Sequence, residues 1–153
     1  MIRGQFLISN NVYYSLDDSL LLKTFVHLLE NIMILKVHHA QITIPKDTED
    51  LAREFYCELL GLREIHKPQA LQGRGGFWLE SDGFQVHIGT EDDFDRTKTK
   101  AHIAYLVEDL ENWREQLQGQ NIKIIEGIPI PNFRRFEFRD PFGNRVEFLE
   151  KID

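Results

Sequence analysis

The sequence predicts an α+β fold in which two βαβββ modules, residues 34–90 and 101–150, build a cupped mixed sheet with helices on its outer face. Three observations predict it. The order strand, helix, glycine stop, strand occurs twice along the chain. Each occurrence is followed by a second pair of strands joined by strong turn chemistry, Asp82-Gly83 in one and Asp140-Pro141-Phe142-Gly143 in the other. Period-2 alternation within these strands separates apolar from polar side chains, as half-buried strands require.

The elements follow in order. His39–Ile44 reads as a strand with Ala40, Ile42 and Ile44 on one face and His39, Gln41 and Thr43 on the other. Asp50–Leu60 has helical spacing, with Gly61 placed where a helix end needs a residue free to adopt positive φ. A short strand near Leu62–His66 and the hairpin Gly76–Ser81/Phe84–Ile88 complete the first module. The charged segment 91–100 (EDDFDRTKTK) is a linker. The second module repeats the plan: strand His102–Val107, helix Leu110–Leu117, Gly119 as the helix stop, strand Ile122–Ile125, then Arg135–Arg139 and Asn144–Leu149. The apolar strand faces should pack beneath the two helices and bury Leu51, Phe55, Trp113 and Leu117.

Composition bounds the function. The 153-residue chain has one cysteine, Cys57, and a formal net charge of −7. An acidic chain without a clustered basic surface is a poor fit to nucleic acid. A lone cysteine rules out an intramolecular disulfide and fits a cytoplasmic setting. Residues 1–33 form an N-terminal extension to the domain at 34–153, with a short amphipathic helix over Ser19–Glu30. Its apolar run, broken by Lys23, His27 and Glu30, is shorter than the roughly 20 residues that span a bilayer, so no membrane partner is expected. One reading takes Met33 as the natural start; the other takes the extension as an appendage that packs on the domain or on a second subunit.

Superposing the modules brings His39 onto His102 and His87 onto Glu147. Alternation puts all four on the face opposite the helices. Three imidazoles and a carboxylate at repeat-related positions make an N₃O ligand set suited to Zn, Ni, Co, Mn or Fe(II). With His39, His102 and Glu147 alone, the set is two histidines and one carboxylate with open positions. With His87 added, it is closer to a Lewis-acid centre. Gln41 and Gln85 share this face and are candidate substrate contacts. Arg134 and Arg135 could clamp an anionic group. His38 should point to the opposite face, and Trp78 and Phe94 are read mainly as packing residues.

The segments VHHAQITI, FYCELLGL, FQVHIGT, AHIAYLVEDL and RDPFGNRVEFLE resemble the vicinal oxygen chelate superfamily of glyoxalases, bleomycin-resistance proteins and extradiol dioxygenases. The resemblance implies a glyoxalase-like cup, a divalent metal on His39, His87, His102 and Glu147, a small-molecule substrate bound through vicinal oxygens, and a homodimer. Where His87 stands, the lyases of this superfamily carry a glutamate implicated in proton transfer. His87 and Glu147 are therefore the candidate catalytic groups. The implied reaction is of lyase or isomerase type, or a dioxygenation; the alternative is a non-catalytic binding protein that uses the same cup.

Overall fold

In the computed structural model, residues 34–152 are described. The expected helix over Ser19–Glu30 lies outside them. The chain divides into two units at Val37/His38, and the second, His38–Asp153, carries every element discussed below.

That unit contains two sheets of identical topology. The first has β1 (His39–Ile44), β2 (Arg63–Ile65), β3 (Phe77–Ser81) and β4 (Phe84–Thr90) in the order β1-β4-β3-β2. The second has β5 (His102–Leu106), β6 (Ile125–Glu126), β7 (Phe133–Arg139) and β8 (Arg145–Lys151) in the order β5-β8-β7-β6. In each, the first strand runs parallel to the fourth and the remaining pairs are antiparallel. The repeat read from the sequence is thus a repeat of topology.

The helix α1 begins as Glu49–Arg53 and continues as a π-helix over Glu54–Leu59. Its buried stripe is Ala52, Phe55, Tyr56 and Leu60, while Leu51 is 46% exposed. The expected burial of Leu51 is therefore corrected: although four residues before Phe55, it stands in the first turn of the helix at the edge of the stripe, ahead of Ala52, and stays in solvent. Gly61 takes φ +75 as expected. Gly119 instead closes helix α3 (Leu110–Gly119), and the left-handed position passes to Asn121 at φ 60. Asparagine tolerates that region because its short polar side chain can bond locally. A short helix α2 (Gln69–Gln72) precedes β3.

One core joins the modules. Val86 and Ile88 from the first sheet, Phe136, Phe138, Val146 and Phe148 from the second, and Tyr56 from α1 are all nearly or fully buried. Each large apolar side chain so buried contributes about 1.5–3 kcal/mol. Polar ties cross the same seam. The Tyr56 hydroxyl donates to Asp140 Oδ2 at 2.7 Å, and Asn144 Nδ2 donates to the Thr43 carbonyl at 2.9 Å. The linker is anchored as well: buried Arg96 donates its Nε to the Thr43 carbonyl at 2.7 Å. The DPFGN turn is held by the Asp140 side chain, which accepts from the amides of Phe142 and Asn144. Among the described residues, no helix is long and apolar enough to cross a membrane.

Candidate metal and substrate site

The first module assembles its polar face around His87. Strand register sets Trp78 of β3 and Gln41 of β1 on either side of it, with Gln85 opposite His39. The Trp78 and His87 rings stack at 4.0 Å and 2°, and His87 stacks on His39 at 4.0 Å and 14°. Sandwiched in this way, His87 is only 7% exposed. Burial, followed by the neighbouring His39, His38 and Lys67, pushes its pKa down, which favours the neutral ring. Its Nε2 lies 3.1 Å from Gln85 Oε1 and donates to it.

The stack bears directly on ligation. An imidazole lone pair lies in the ring plane, and a bound ion sits about 2.0–2.1 Å from the nitrogen along it. Stacked, nearly parallel rings hold their lone pairs in two separate, nearly parallel planes, and one ion cannot sit at ligand distance in both, so in this arrangement His39 and His87 are not aimed at one ion.

The second module places His102 of β5 beside Glu147 of β8. The Lys100 carbonyl, 2.9 Å from His102 Nδ1, takes that nitrogen's hydrogen and turns Nε2 toward Glu147. Nε2 and Glu147 Oε2 are 2.9 Å apart. Two ligand atoms each about 2.1 Å from one ion stand about 3 Å apart, so this pair has ligand spacing. Glu147 is 5% exposed, and its other oxygen accepts from Arg135 Nε. Arg135 also donates to Glu137 Oε1 at 2.9 Å and to the Ile128 carbonyl at 2.8 Å, while Arg145 reaches Glu137 Oε2 at 3.2 Å.

The four expected ligands thus form two pairs, one per module. Among the described residues, no three His, Cys, Asp or Glu side chains come close enough to hold a metal ion. The donor chemistry suits a divalent ion, but these residues of a single chain do not close around one. Arg134 sits across the strand from Arg135, with alternation turning it to the opposite face, and pairs with Glu150. It lies away from the site, whereas Arg135 lies in it, engaged by carboxylates.

A cavity of about 450 Å³ opens over the first pair. His39, His87, Gln41 and Trp78 line it, together with His38, Lys67 and Arg74; no residue of the second module does. His38 corrects the sequence expectation. Alternation holds only inside a strand, β1 starts at His39, and the His38 ring turns back so that its Nδ1 is 3.0 Å from His39 Nδ1. Lys67 and Arg74 lie in irregular segments whose direction no periodicity gives, and Trp78, read from the sequence mainly as a packing residue, forms a wall of the cavity. A larger cavity of about 720 Å³ lies at the module seam between Phe55 and Ile122 and contains none of the expected ligands.

The profile of the glyoxalase/bleomycin resistance protein/dioxygenase superfamily matches residues 36–148. Among solved structures, a glyoxalase family protein from Bacillus anthracis is 38% identical, with 80% of this chain and 99% of that chain covered at a TM-score of 0.73. A glyoxalase/dioxygenase from Nostoc punctiforme is 20% identical, with coverage of 80% and 98% and a TM-score of 0.65. A mutant fosfomycin resistance protein from Listeria monocytogenes, complexed with Mn(II) and dihydroxypropylphosphonic acid, is 16% identical, with coverage of 78% and 95% and a TM-score of 0.65. Among curated proteins none matches. The duplicated sheet topology, the repeat-related His and Glu pairs on its polar face and the matched profile lead to one conclusion: the chain belongs to the glyoxalase/bleomycin resistance protein/dioxygenase family, the vicinal oxygen chelate superfamily.

Proposed function

We propose that this protein is a metal-dependent enzyme that acts on a small molecule through vicinal oxygens, and that its metal site is completed by a second copy of the chain. The observation that carries this reading is the His102–Glu147 pair, with 2.9 Å between Nε2 and Oε2 and the Nδ1 of His102 already committed to a carbonyl. The third ligand is His39 of another copy, which stands exposed on its own sheet. This gives two histidines and one carboxylate, a set that leaves open positions for substrate. A divalent ion held there would act as a Lewis acid on substrate oxygens. The Mn(II) bound by the Listeria monocytogenes protein supports a divalent ion.

The chain's own groups have distinct tasks in this reading. Arg135 holds one Glu147 oxygen and leaves the other to face His102. His87, its pKa lowered mainly by burial and its Nε2 tied to Gln85, is the candidate to accept a proton beside His39. Gln41 extends from the same face toward substrate. The apolar rim of the second half-site supports the dimer, because Leu106 is 69% and Ile128 83% exposed beside a polar centre. The non-catalytic alternative gains less support, since a sequestering cup has no use for a buried carboxylate held at ligand spacing from an imidazole.

Metal titration of EDTA-stripped protein tests the proposal. One divalent ion per chain is expected, with loss of binding in His102→Ala and a dimer in sedimentation. Protein that binds no transition metal overturns it. Oxygen uptake with a catechol after anaerobic Fe(II) loading, against hemithioacetal conversion with Ni or Zn, separates dioxygenase from lyase chemistry.

A further inference from the structure

The cavity over His39 carries a charge pattern that the metal reading does not use. The chain is acidic, with a formal net charge of −7, yet among the described residues no carboxylate lines this cavity. Apart from histidines, its ionisable lining among the described residues is Lys67 and Arg74. Glu49, close by in the fold, is engaged elsewhere: it accepts the Gly76 amide at 3.0 Å, and this bond lowers its pKa.

The turn that presents these cations is built to hold its shape. Lys67 Nζ donates to the carbonyl oxygens of Gly75 and Gly76, which leaves one of its three N–H groups for a ligand. Gly75 and Gly76 both take left-handed φ, +69 and +72. A Cβ on Gly76 would collide with the Ile88 carbonyl oxygen, so the turn lies directly against β4. Arg74 is pinned through its backbone, with its amide donating to the Leu71 carbonyl at 3.1 Å and its carbonyl accepting from the Thr90 hydroxyl at 3.4 Å. Its side chain is left exposed at the cavity.

We propose that Lys67 and Arg74 form a subsite for an oxyanion, so that the protein's small-molecule ligand carries a carboxylate, phosphonate or phosphate group held beside His39. An exposed guanidinium on a pinned backbone and an ammonium with one spare donor suit such a group, through charge-assisted hydrogen bonds to its oxygens. Trp78 and Leu71 supply apolar walls for the rest of the ligand. The inference rests on the concave face being the substrate cup, but not on metal binding.

Calorimetric titration of the full chain in EDTA with phosphate, methylphosphonate, acetate and neutral acetamide tests it. Saturable binding of at least one anion, and none of acetamide, is expected. Arg74→Gln should weaken it about 10-fold, the loss of one charge-assisted bond. Arg134→Gln, the same charge change on the opposite face, should change it by less than about 2-fold. Equal weakening by both variants, or no saturable anion binding, overturns the subsite. The preferred anion identifies the acid. If metal titration fails while anions still bind, the metal reading falls and this one stands; the reverse outcome separates them equally.

Discussion

If the metal site is shared between two copies, two inactive variants should rescue each other. His39→Ala keeps the His102–Glu147 pair at its 2.9 Å spacing but has no histidine to lend. His102→Ala keeps His39 but has lost half of its own pair. Loss of a direct ligand should cost at least about 100-fold in metal affinity, since loss of an outer-shell partner already costs about 10–100-fold. Mixed in equal amounts under conditions of subunit exchange, half of the dimers are heterodimers. Each heterodimer has one site with His39, His102 and Glu147 all present and one with both substitutions. About one quarter of all sites should therefore regain tight binding, as a two-fold symmetric assembly requires. Calorimetry with Mn(II) or Zn(II) before and after exchange, with sedimentation to confirm dimers, reads that fraction. A mixture of verified heterodimers that binds no more metal than its components would refute the shared site.

The polar seam between the modules should dominate stability. Asp140→Ala leaves the buried Tyr56 hydroxyl unpaired and removes from the Asn144 side chain one of its two bonds, the other being to the Thr43 carbonyl; urea denaturation should show a loss of about 3–5 kcal/mol, against about 1–2 kcal/mol for Tyr56→Phe. Two left-handed glycines should respond unequally to alanine. Gly61 has open space around an added Cβ and should lose about 1 kcal/mol, whereas Gly76, set against the Ile88 carbonyl, should lose about 3 kcal/mol or more by the same assay. The Cys57 thiol, pushed up mainly by burial and then by Glu64, holds less thiolate than a free cysteine near neutral pH. Since the thiolate is the nucleophile, iodoacetamide labelling followed by intact mass at pH 8 should be slower than for a free thiol and should rise with pH; labelling as fast as a free thiol would contradict this.

What the sequence determined was everything that depends on local periodicity and turn chemistry. Alternation in β1, β4, β5 and β8 set the shared face of His39 with His87 and of His102 with Glu147, because a strand offers a side chain only two directions. Asp82-Gly83 takes positive φ at both positions, as an Asp-Gly hairpin turn demands. Alternation loses its grip where the strand ends, and so the direction of His38 was misread. Helical spacing likewise could not say which residues of α1 face the sheet, and Leu51 was placed in the core in error. What only the tertiary structure decided was distance between modules. Packing through Tyr56, Phe138 and Asp140 fixes how the two sheets meet, and that separates the two ligand pairs within one chain. The Trp78–His87–His39 stack, the commitment of Arg135 to Glu147 rather than to open solvent, and the Lys67–Arg74 rim arise from side chains on different elements brought together by packing. No residue's identity or period encodes such contacts; they exist only once a particular packing has brought the groups together.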